Sequence, residues 1–108
     1  MLPYTIDEIK RRITPVAKKY NLAAVYLFGS YARGEATAES DIDLLVDLTG
    51  SSVRGFIFGG LYNDLEEALE TEIDLITVAC LNQPAEHATE KQFNETVMRE
   101  RMMIYAAA

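Results

Sequence analysis

The chain has no tryptophan, one cysteine (Cys80), one histidine (His87) and three prolines in 108 residues. A lone cysteine excludes an internal disulfide and fits a reducing, cytoplasmic setting. Free cysteine usually behaves as a small apolar side chain, so Cys80 is expected to be buried or half-buried. A single histidine cannot build a zinc site, and His87 is expected on a helix surface. No apolar run approaches the roughly 20 residues that span a bilayer, and neither a secretory leader nor a membrane partner is expected. Positive charge is also scarce. Ten Lys and Arg stand against seventeen Asp and Glu, for a net charge of −7. Such a surface repels phosphodiester backbones, so direct binding of nucleic acid is not expected.

What remains is an ordinary globular composition, 49% apolar and 25% charged. It is enough for one core and one domain, expected over residues 1–105. Ala106-Ala107-Ala108 reads as a native tail or a cloning remnant and is set aside. The charge is unevenly spread. Residues 1–20 carry five basic side chains against two acids, whereas Glu35 to Asp74 holds eleven acids against Arg54 alone. The basic cluster reads first as a solvated helix face and second as a surface for a partner.

Thr5-Ile6-Asp7-Glu8 forms a capping box, and Ile6, Ile9, Ile13, Val16 and Tyr20 follow at helical spacing. That predicts an amphipathic helix to about Tyr20, kinked or broken near Pro15 and stopped at Asn21. Residues 23–28 predict a strand ending at Gly29, then a short helix from Ser30 through Arg33, a loop from Gly34 to Ser40, and a strand over 41–47. Gly50-Ser51-Ser52 marks a turn. Arg54 to Gly60 is ambiguous, because three glycines interrupt it. Leu61, Leu65 and Leu69 among acidic neighbours predict a helix, and residues 72–78 a third strand. Asn82-Gln83-Pro84 predicts a loop. The segment from Ala85 to Tyr105 predicts a helix with Phe93, Val97 and Ile104 on its apolar side. Together these elements predict a mixed α/β (α+β) domain with a small sheet and flanking helices.

The chemistry concentrates in Phe28-Gly29-Ser30-Tyr31-Ala32-Arg33-Gly34 and Ser40-Asp41-Ile42-Asp43-Leu44-Leu45-Val46. Residues two apart in a strand share a side, so Asp41 and Asp43 would aim two carboxylates at one point while Ile42, Leu44 and Val46 face the core. Like charges held together are tolerable mainly with a cation between them. A Gly-Ser turn at a strand end can bring backbone N–H groups to a phosphate. Asp74, flanked by Ile73 and Leu75, repeats the pattern, and joins the pair if the third strand lies beside the second. Three hard oxygen donors suit Mg²⁺, and two such ions would bridge them to a nucleoside triphosphate. Asp74 would then take the attacking side and accept the proton.

Gly29-Ser30, a ten-residue spacer and Asp41-Ile42-Asp43 resemble the signature of the polymerase-β nucleotidyltransferase superfamily. The longer string FGSYARGEATAESDIDLLVD, Asp74 within EIDLIT, and the ending Arg-Glu-Arg-Met-Met-Ile-Tyr resemble the minimal nucleotidyltransferases of prokaryotes over nearly the whole chain. The resemblance implies the polymerase-β-like fold and Mg²⁺-dependent transfer of a nucleoside monophosphate, AMP from ATP. It implies phosphate contacts from Gly29 and Ser30, and metal binding by Asp41, Asp43 and Asp74. It also implies a partner, a HEPN-domain ribonuclease toxin that such proteins neutralise as antitoxins by adenylylating a tyrosine and by forming a complex.

The remaining candidates each have two readings. Arg33 could approach the triphosphate, or pair with Glu35 or Asp47. Tyr31 could stack on a base, though packing is favoured. Phe56, Phe58 and Tyr62 read first as core and second as a partner-binding face. The length leaves no room for a second domain, so the acceptor site is expected to be completed by another protein or a second copy. The alternatives are a nucleotidyltransferase acting on a small molecule of the aminoglycoside type, and a non-catalytic antitoxin that works by occlusion.

Overall fold

The computed structural model describes residues 4–37, 39–81 and 88–107. Its elements run α1 (Ile6–Lys19), β1 (Ala24–Phe28), α2 (Gly29–Arg33), β2 (Ile42–Asp47), α3 (Phe56–Leu69), β3 (Ile73–Thr77), α4 (Val78–Leu81), α5 (Ala88–Glu100) and β4 (Met102–Ala106). The four strands form one mixed sheet in the order β3-β2-β1-β4. β1 pairs antiparallel with both β2 and β4, and β2 pairs parallel with β3. This is a mixed α/β architecture, a small sheet with flanking helices, as the sequence predicts. No helix among the described residues is long and apolar enough to cross a membrane.

Period-two alternation divides the sheet into two faces. Val25, Leu27, Ile42, Leu44, Val46 and Ile73 turn toward α1 and α3, where they meet Ile9, Ile13 and Ala17 and then Leu61, Leu65 and Leu69. The opposite face carries a smaller cluster of Phe28, Leu45 and Val97, with Tyr26 and Ile76 packed against it. Leu45 is as fully buried as its neighbours Leu44 and Val46. β2 is therefore covered on both sides, and Asp43 lies on the face that the smaller cluster and α5 cover.

Local chemistry sets most boundaries as expected. The Thr5 hydroxyl accepts the Glu8 N–H and caps α1. At the other end Asn21 adopts φ 56°, with the Asn21 N–H bonded to Lys18 and the Leu22 N–H to Ala17, a left-handed stop that satisfies two end carbonyls.

Pro15 does not break α1, which continues through it to Lys19. The ring removes the hydrogen bond to the Arg11 carbonyl. Both residues are exposed, so water can satisfy that group, and Ile9, Ile13 and Ala17 hold the helix to the core on its other side. α3 begins five residues before Leu61, running through Gly59 and Gly60. Phe56 at its start is 93% exposed, while Phe58 and Tyr62 pack partly against the core. Cys80 is exposed rather than buried. It sits on the four-residue α4 at the sheet edge, its N–H donating to the Thr77 hydroxyl.

The largest departure is at the C-terminal end, where one helix was expected through Tyr105. α5 ends at Glu100, and Met102–Ala106 becomes the edge strand β4. Met-Met-Ile-Tyr suits either state by propensity, and the open edge of β1 decides. Ile104 enters the main core as strand, Ala106 pairs with Ala24, and the Ala107 N–H donates to Ala23. Phe93 on α5 is half exposed, whereas Val97 is buried. The Asn82-Gln83-Pro84 loop and His87 lie outside the described residues.

Candidate active site

Antiparallel register sets Phe28 opposite Asp43, and parallel register sets Asp43 beside Asp74. The chain turns out of β1 directly at Gly29, which has φ +71°. A side chain there would collide with the Asp43 carboxylate, so glycine is required both by conformation and by space. The one-turn α2 that follows ends at Gly34 with φ +74°, and the Glu35 N–H returns to the Ser30 carbonyl. Thr37 and Ser40 then close the loop ahead of Asp41: the Thr37 N–H donates to the Ser40 hydroxyl and the Ser40 N–H to the Thr37 carbonyl.

Gly29, Arg33, Asp43 and Asp74 line one cavity of about 430 Å³. Its floor is apolar, from Phe28, Leu75 and Ile76 of the sheet, and α5 closes it with Phe93, Thr96, Val97 and Glu100. Phe28 and Phe93 meet edge to face there. Asp41 is exposed just before β2 and, like Ser30, does not line the cavity. Among the described residues no three His, Cys, Asp or Glu side chains converge as a ready ligand set.

The electrostatics follow from burial and crowding. Burial pushes the Asp43 carboxyl up to about 6, reinforced by a hydrogen bond and charge repulsion from Asp74 and by the charge of Asp41, with Arg33 pulling the other way. Arg33 is held by two carboxylates, Nε to Glu35 at 2.7 Å and Nη1 to Glu100 at 3.1 Å, which keep it firmly protonated. Asp47 is occupied elsewhere, accepting from the hydroxyl and N–H of Thr49. Tyr31 is buried in the main core, so of its two readings the packing one holds.

Glu100, Thr96, Val97 and Phe93 were not foreseen as site residues. Nothing local in the sequence connects α5 to Arg33, since Glu100 lies 67 positions away.

The arrangement combines a glycine turn, a carboxylate pair in which Asp43 has raised proton affinity, and a cavity large enough for an organic substrate. Comparison with known proteins fits it. The polymerase beta nucleotidyltransferase family matches residues 11–106. A candidate protein adenylyltransferase of Methanocaldococcus jannaschii is 42% identical over 73 residues, covering 67% of this chain and 76% of the relative. The protein adenylyltransferase MntA of Thermococcus cleftensis is 35% identical over 86 residues, covering 75% and 85%. Among solved structures, that of a tri-AMPylated Shewanella oneidensis HEPN toxin in complex with an MNT antitoxin shares the fold, with TM-score 0.61 and 19% identity over 94% of this chain and 73% of that one. The chain belongs to the polymerase-β nucleotidyltransferase family.

Proposed function

We propose that this protein is a Mg²⁺-dependent protein adenylyltransferase that moves AMP from ATP onto a hydroxyl, a tyrosine, of a HEPN-domain ribonuclease toxin, and so acts as its antitoxin. The observation that carries this reading is the parallel register of Asp43 and Asp74, which sets two carboxylates side by side in the lining of the cavity that Gly29 shares. Support for a protein acceptor comes from the relatives at 35–42% identity, which bear the protein adenylyltransferase name. Support for the toxin comes from the fold neighbour, whose partner is an AMP-bearing HEPN toxin.

The donor set fits a hard divalent cation. Asp43 and Asp74 present oxygen ligands, and their mutual repulsion is what such a cation relieves. Asp41, exposed just ahead of β2, would supply the third carboxylate. When bound, Mg²⁺ supplies positive charge against the triphosphate and the leaving pyrophosphate.

The chain's own groups do the rest. Gly29 and Ser30 offer the close backbone approach that the phosphates need. Arg33 adds a guanidinium beside them. The acceptor oxygen attacks the α-phosphorus, the bond from that phosphorus to the bridging oxygen of the β-phosphate breaks, and pyrophosphate leaves. The acceptor proton passes to Asp74.

The test is to incubate the purified chain with its genomic neighbour, Mg²⁺ and each labelled nucleoside triphosphate, and to locate added mass on the partner by spectrometry. Transfer from ATP to a tyrosine is expected. Robust adenylylation of an aminoglycoside with none of the partner would overturn the reading.

A further inference from the structure

Four charged side chains line the cavity: Arg33, Asp43, Asp74 and Glu100. Arg33 is the only cation among the described lining residues, and it already pairs with two carboxylates. Nε is 2.7 Å from Glu35 on the following loop, and Nη1 is 3.1 Å from Glu100 at the last turn of α5. A triphosphate entering this cavity therefore meets three carboxylates and a guanidinium that is already neutralised. Guanidinium pairs phosphate oxygens as readily as carboxylates, and each of the two edges along which it forms a bidentate pair already has one nitrogen bonded to a carboxylate, so a bidentate phosphate pair displaces one of them. Of the two carboxylates, Glu100 is the one inside the cavity, and its side chain is 25% exposed against 65% for Glu35. It also belongs to the helix that closes the cavity, which Val97 pins to the sheet one turn earlier.

We propose that Glu100 is a positioning residue that holds Arg33 in reserve and competes with the incoming triphosphate for it. Nucleotide binding exchanges the Arg33–Glu100 pair for an Arg33–phosphate pair. The same exchange removes one tie between α5 and α2, so occupancy of the nucleotide site and the seating of α5 are linked. This inference rests on the proposed use of a nucleoside triphosphate.

The test is calorimetric titration of ATP with Mg²⁺ into the wild-type chain, E100Q, R33Q and the double variant. Freeing Arg33 is expected to tighten ATP binding about threefold to fivefold in E100Q, the range that a partly exposed ion pair supports. That gain is expected to disappear in the R33Q background. In steady state E100Q should lower KM with kcat unchanged, a split that mere loosening of the fold would not give. E35Q releases the same guanidinium without touching α5, and should tighten binding in the same direction even if E100Q proves poorly folded. Unchanged affinity in both E100Q and E35Q would overturn the proposal. So would a gain in E100Q that persists in the R33Q background, since Glu100 would then act by direct repulsion. Absence of ATP binding by the wild-type chain would instead overturn the nucleotidyltransferase reading on which the proposal stands.

Discussion

Gly29 and Asp43 compete for the same small volume: the Asp43 carboxylate occupies the space that a side chain at position 29 would fill. The turn out of β1 and the placement of the carboxylate are thus one feature. Gly29→Ala has to move Asp43 and also to force alanine into φ +71°. We predict a stability loss of about 2 kcal/mol in chemical denaturation. Transfer activity should fall at least about 100-fold, because the carboxylate no longer faces Asp74 squarely.

Asp43→Asn separates the requirements of stability from those of chemistry. A carboxyl whose folded-state pKa is raised costs stability when it ionises. The cost is absent below its ordinary value near 4, grows as the pH climbs, and is complete above about 6. At pH 7 the asparagine variant should therefore be more stable than wild type by about 1 kcal/mol, allowing for partial solvent screening. Denaturation curves of the two should converge below about pH 4. Mg²⁺ should raise the melting temperature of wild type at pH 7 and leave that of the variant nearly unchanged.

The edge strand gives a prediction about architecture. Ile104 is buried and its neighbour Met103 is half exposed. Ile104→Ala should cost about 2–4 kcal/mol, whereas Met103→Ala should stay within about 0.5 kcal/mol. Equal costs would contradict the alternation of β4.

Much of this was legible in the chain. Alternation in Ile42-Asp43-Leu44 and Ile73-Asp74-Leu75 marked two strands with a carboxylate on the face away from the main core, and Gly29 marked the turn out of the strand that precedes them. The two carboxylates of one site lie 31 positions apart, yet their shared pattern revealed them. The rest depended on contacts that no local pattern records. Gly59 and Gly60 read as breakers, but a Cβ at Gly60 would come within 3.1 Å of the Tyr20 hydroxyl, so close packing of α1 on α3 offsets the loss of propensity there. Met102–Ala106 became strand because β1 had a free edge. Glu100 entered the site from α5 because Val97 packs on Leu45 and Phe28, a contact between distant parts of the chain.

Phe56 shows the opposite case. Its aromatic neighbours Phe58 and Tyr62 reach the core, whereas Phe56 at the first turn of α3 points outward and is 93% exposed. Phe56→Ala should leave the denaturation midpoint within about 0.5 kcal/mol of wild type. Leu65→Ala, on the buried side of the same helix, should cost about 2–5 kcal/mol.

The central claim is that the Asp43–Asp74 pair carries out adenylyl transfer to a protein. Its most direct measurement is the intact mass of the proposed HEPN-domain partner after incubation with ATP, Mg²⁺ and either wild-type chain, Asp43→Asn or Asp74→Asn, with complex formation followed by size exclusion. The account predicts AMP added by wild type alone, with all three chains still binding the partner. An unmodified partner after incubation with wild type, or equal modification by Asp43→Asn, would contradict it.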